Sequence, residues 1–169
     1  MNFGLAAERA RAFGHKVNMV IVDDDIALPD LPQARGLAGT IFVHKIAGAM
    51  AENGADLGEC TSTAERVIKA CRSIGMSLDT CTVPGSPKEN RIPHGMAELG
   101  LGIHGEAGIE QVASNGAAVA IRKVIDRLAV KMPEGPHAVL INNLGAASVL
   151  EMSILTHSLL SGEITDQIK

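Results

Sequence analysis

At 169 residues the chain has room for one domain, or for one domain and part of another. Apolar residues make up 46% of it and charged residues 20%, which supports a sizeable core and excludes general disorder. A net charge of −4 with no dense Lys/Arg block argues against a phosphate-backbone binder, and Phe3, Phe13 and Phe42, the only aromatics, give no platform for stacking bases.

Taken in chain order, Phe3, Ala6, Ala10 and Phe13 recur at helical spacing, and Gly14 is placed to end that helix. "KVNMVIV", Lys16 to Val22, reads as a buried strand running into the acidic corner Asp23-Asp24-Asp25, followed by a loop with Pro29 and Pro32. Thr40 can cap a helix through about Asn53, with Gly54 at its far end. A second helix is expected from about Asp56 to Arg72, and then a strand within "IGMSLDTCTV". "VPGSPKENRIPHG" carries Pro84, Pro87 and Pro93 and is the best boundary or long-loop candidate.

Beyond it, "AELGLGI" alternates as a strand would and ends at His104. A helix is expected between Ser114 and Lys131, where Val119, Ala120, Val124 and Leu128 share a face. "HAVLINNL" reads as a strand, Gly145 as a turn, and Ser148 as the cap of a last helix to about Leu160. Strands alternating with helices predict an α/β fold: a layered, partly parallel sheet with flanking helices, parts of two α/β subdomains. The expected division is 1–83 for the C-terminal half of a first subdomain, 84–96 for a proline-rich connection, and 97–169 for a second, incomplete at its C-terminus. Cys60, Cys71 and Cys81 are an odd set without CxxC spacing, as reduced thiols would be. No leader and no run of membrane-spanning length is read, so the expected setting is cytoplasmic, with no membrane partner.

The stretch "AELGLGIHGEAGIE", residues 97–110, poses the functional question. Gly100-x-Gly102-x-x-Gly105 has dinucleotide-binding spacing, but the pattern carries the apolar strand past the second glycine, Glu106 and Glu110 would face the anion, and Asp126 falls inside an expected helix. His104-Gly105-Glu106 also has the H-x-E half of a zinc deaminase site, but all three cysteines precede His104 and none are paired, so no metal is expected. A third reading makes His104 a nucleophile: a neutral imidazole nitrogen adds to a carbonyl carbon, and flanking glycines let a small ligand approach. Residue chemistry alone leaves this open beside a loop histidine in a tight turn.

"LGLGIHGEAGIE", with "VIVDDDIAL", "RGLAGTIFVHKIAGA", "GMSLDTCTVPGSP" and "LINNLG" in this order, resembles the substrate-binding K subunit of dihydroxyacetone (glycerone) kinases from about Met1 to Gly162. The resemblance implies that His104 carries a short-chain ketose, dihydroxyacetone or erythrulose, as a covalent hemiaminal, with Gly102 and Gly105 beside the substrate. It further implies a homodimer, and a phosphoryl donor held as Mg-ATP or Mg-ADP on a partner L subunit or domain, with no cofactor bound by this chain. That agrees with the lack of any GxxxxGK[ST] motif. The family's glycine-rich loop with a second histidine, and the aspartate thought to act as base, would precede Met1; the last strands would follow the end. The chain is therefore expected to be a fragment or truncated product without turnover in isolation. The alternative is a non-catalytic metabolite-sensing or assembly module of the same fold.

Other residues carry weaker expectations. Three adjacent acids at 23–25 are expected to cap backbone amides or face water more than to form a site. His44, His94, His137 and His157 are read as structural or exposed, Asn142, Asn143 and Gly145 as a turn, and Glu106 as a candidate to bond the loop or to orient His104.

Overall fold

The computed structural model describes residues 2–28, 34–80, 82, 84–104, 106–145 and 147–162. Its elements in chain order are α1 (Asn2–Ala12), α2 (Thr40–Glu52), α3 (Leu57–Ala70), β1 (Met76–Ser77), β2 (Met96–Leu99), β3 (Glu110–Ala113), α4 (Ala117–Ala129) and α5 (Val149–Leu160). The α/β class holds. The expected loop residues Pro29 and Pro32, and Cys81, lie outside the described residues.

Local chemistry accounts for the helix limits. Asp56 and Glu59 form a capping box at the start of α3, each side chain accepting the other residue's backbone N–H, and Ser148 and Glu151 do the same at α5. At α2 the expected cap by Thr40 is not made: the N-cap is Gly39, without a side-chain bond of its own. Its N–H donates instead to Asp24 Oδ2 at 2.9 Å, so a carboxylate fifteen residues upstream serves the positive end of the helix. The α2 and α3 faces meet around buried Val43, Ala64 and Ile68, with Val20, Val22, Ala47 and Val67 packed against them.

The described sheet is three-stranded, antiparallel, in order β1-β2-β3. Leu99 pairs with Met76 on one side and Glu110 on the other, and its side chain is fully buried. Because β1 precedes the proline-rich stretch and β2 follows it, the sheet spans that stretch. Three strand expectations are corrected. Lys16 to Val22 forms no ladder among the described residues; a parallel contact enters only beyond it, as the bridge between Asp25 and Ser73. "HAVLINNL" has a bridge position at His137 and no ladder among the described residues. The expected strand in 97–103 stops at Leu99, because Gly100 takes a φ of +80°, outside the extended region. β3 was not expected, although Glu110 to Ala113 alternates half-buried and exposed residues as a strand does. Among the described residues no helix is long and apolar enough to cross a membrane.

Candidate functional site

The glycine-histidine stretch is the connection of the β2–β3 hairpin. Gly100 turns the chain out of β2 while its N–H donates to the Gly75 carbonyl at 2.7 Å. A Cβ there would lie 2.8 Å from Ala27 Cβ and 2.9 Å from Ile109 Cγ1, so only glycine fits. The chain returns when the Ile109 N–H donates to the Leu99 carbonyl at 2.8 Å. A hairpin has no helix N-terminus to offer a pyrophosphate, which removes the dinucleotide reading.

Two buried acids hold the loop at its ends. On the entering side, Asp25 accepts from the Ala27 N–H at 2.9 Å and from Arg35 Nε and Nη2 at 2.7 and 2.6 Å. Arg35 Nη2 also donates to the Gly100 carbonyl at 2.8 Å. On the returning side, Glu98 of β2 takes the Gly108 N–H on Oε1 at 3.1 Å and Arg91 on Oε2 at 2.8 Å. Both carboxylates are nearly inaccessible to water, so each needs these donors.

Between the anchors, the Gly102 N–H donates to the Glu106 carbonyl at 3.1 Å, and the His104 N–H donates to Glu106 Oε2 at 3.0 Å. Gly102 itself is buried. A Cβ on it would sit 2.1 Å from Glu106 Oε2 and 2.8 Å from Arg35 Nη1, so both side chains line the space that glycine leaves. The His104 ring is exposed, and among the described residues neither ring nitrogen has a hydrogen bond. Gly105, the third expected site residue, lies outside the described residues.

Glu106's own backbone N–H, then that of His104, hold its carboxyl below the usual glutamate range, with His104 and Arg35 adding smaller attraction. Its folded value is depressed, so the ionised carboxylate supports the loop fully above the ordinary glutamate pKa of about 4.3, and that support is lost as pH falls through the lower folded value. Carbon-13 NMR is expected to show Glu106 titrating below that ordinary value, with the His104 amide shift following the same curve; an ordinary midpoint would show the cap to be absent.

Of the other expected residues that are described, only Asp25 reaches this loop, through Arg35; Asp24 is buried and accepts the Leu37 and Gly39 amides, whereas Asp23 is exposed. His44, His94 and His157 are exposed on other elements. Asn143 orders its turn, its Oδ1 accepting the Gly145 N–H at 2.8 Å and its Nδ2 donating to the Ala147 carbonyl at 2.7 Å. No group of three or more His, Cys, Asp or Glu that could hold a metal gathers among the described residues. Two surface hollows, of about 760 Å³ beside Met19, Ile26 and Arg72 and about 590 Å³ beside Asp79, His94 and Asn115, do not reach His104. Sequence reasoning missed Arg35 and Glu98, the two side chains that fix the loop. The signal for Arg35 was a lone cation ten residues beyond Asp25, inside "RGLAGTIFVHKIAGA".

Comparison with known proteins gives a consistent result. The Dak1 domain family matches residues 1–168. The dihydroxyacetone kinase of Citrobacter freundii is 45% identical over 170 residues, covering 99% of this chain and 31% of that protein. The dihydroxyacetone-binding subunit DhaK of the PTS-dependent dihydroxyacetone kinase 1 of Listeria innocua is 38% identical over 165 residues, 93% of this chain and 50% of that protein. The crystal structure of the native C. freundii kinase superposes with a TM-score of 0.91 at 44% identity, over 99% of this chain and 31% of that one. The chain thus spans from 31% to 50% of the length of these relatives.

Proposed function

The chain belongs to the Dak1 domain family, and from that premise we propose that it captures a short-chain ketose, dihydroxyacetone or erythrulose, on His104. The observation that carries this reading is the loop itself: a solvent-facing imidazole, unengaged at its ring nitrogens among the described residues, on a backbone tied down at Gly100 and Gly108.

A neutral ring nitrogen attacks the ketose carbonyl carbon. The N–C bond forms as the carbonyl π pair moves to oxygen; that oxygen gains a proton and the opposite ring nitrogen gives one up. The product is a neutral tetrahedral hemiaminal, and no atom leaves. Covalent capture selects a carbonyl, so glycerol is not held. The tether then presents a terminal hydroxyl for attack on a phosphoryl group, with the Mg-nucleotide held by an L-type partner subunit or domain: catalysis by positioning. Gly102 closes the loop through its N–H on the Glu106 carbonyl.

Intact-mass spectrometry of the chain with dihydroxyacetone tests the capture. The expected adduct carries the full mass of the ketose, maps to the 100–108 loop, and is absent with glycerol. A mass one water lighter would instead indicate a lysine Schiff base, and no adduct at millimolar ketose would overturn the reading. Adding an L-type partner with Mg-ATP then separates a kinase, which releases phosphorylated ketose, from a metabolite-sensing or assembly module, which only captures.

A further inference from the structure

We propose that Arg35 is a positioning residue for His104: its guanidinium, locked on buried Asp25, sets the loop conformation in which the imidazole meets its substrate. The inference rests on the ketose-capture reading for its chemical consequence, but the mechanical part stands on the geometry alone.

Three glycines between positions 100 and 105 give this loop many accessible conformations, which would otherwise be searched at the moment of attack. Arg35 removes that freedom from one rigid plane. Nε and Nη2 both engage Asp25 Oδ2, at 2.7 and 2.6 Å. Nη2 also takes the Gly100 carbonyl at 2.8 Å. Nη1 faces the hollow behind Gly102, which it shares with the Glu106 carboxylate that holds the His104 N–H. The same side chain therefore touches the loop at its first residue and lines its middle, beside the Glu106 carboxylate that holds the backbone N–H of the nucleophile. Asp25, whose side chain is 1% exposed, cannot move to follow a wandering partner. Lysine supplies the charge for Asp25 without the planar fork, so it can replace the ion pair but not the two-point hold on the loop.

The experiment compares Arg35→Lys with the parent in two readouts. One is the rate constant for adduct formation with dihydroxyacetone, followed by time-resolved intact mass. The other is hydrogen exchange at the His104 amide by NMR, which needs no ligand. The variant is expected to form adduct at least about tenfold more slowly, and to exchange the His104 amide faster than the parent. A role confined to the ion pair would change only the unfolding midpoint, because lysine would rescue both readouts. Parental rates in both overturn the proposal. Should Arg35→Lys fail to fold, Gly102→Ala supplies a second test from the other side, since its Cβ meets both Glu106 Oε2 and Arg35 Nη1 in the space they share behind the loop. It is expected to show the same two losses, and parental behaviour there overturns the proposal as well. If the parent itself forms no adduct, ketose capture fails while the amide-exchange comparison still decides on Arg35.

Discussion

His104→Ala is expected to abolish the ketose adduct while leaving the folding free energy within about 0.5 kcal/mol of the parent. The two halves follow from different atoms of one residue. The ring is exposed and contributes no hydrogen bond among the described residues, so its removal opens no cavity and strands no partner. The structural contact of this residue is its backbone N–H on Glu106 Oε2, which alanine keeps. Adduct mass and urea unfolding of the same sample check the pair of outcomes. Adduct at the parental level in His104→Ala would move the nucleophile elsewhere. A loss of several kcal/mol would make the ring a packing group.

The second large effect is the reverse case, a residue with no proposed chemistry and much structure. Asp24→Ala is expected to cost about 3–5 kcal/mol, since each buried amide left without an acceptor costs about 1–3 kcal/mol. Asp24 is 1% exposed; Oδ1 accepts the Leu37 N–H at 2.7 Å and Oδ2 the Gly39 N–H at 2.9 Å. Removing the carboxylate strands both amides and takes a negative charge from the start of α2. As N-cap, Gly39 has no side chain to supply in its place, and its approach is so close that a Cβ would lie 2.8 Å from Asp24 Cγ. Asp23→Ala, on the neighbouring exposed carboxylate, is the control and is expected to stay within about 0.5 kcal/mol. Equal losses at the two positions would sink the argument.

Legibility in the sequence followed the range of the interaction. The helices of 57–70 and 149–160 were readable because their capping boxes are written within four residues. Residue chemistry left His104 open, and the resemblance carried by five motifs in order chose it; the end of β2 at Gly100 was not legible, because it lies in one residue's φ. Ladders were less legible, since an apolar run such as Lys16 to Val22 states that a strand is affordable and not which neighbour it pairs with. β3 escaped notice because four residues are too few for a pattern to stand out. Arg35 was hard to read because it lies sixty-five residues from the Gly100 carbonyl it binds, and a cation ten residues beyond Asp25 does not say which loop it will meet.

Because the hairpin connection is gripped at Gly100 and Gly108 by side chains rooted elsewhere, the exposed positions Ile103 and Ala107 tolerate substitution without disturbing the pairing of β2 with β3, while Arg35 and Glu98, which make the two grips, do not.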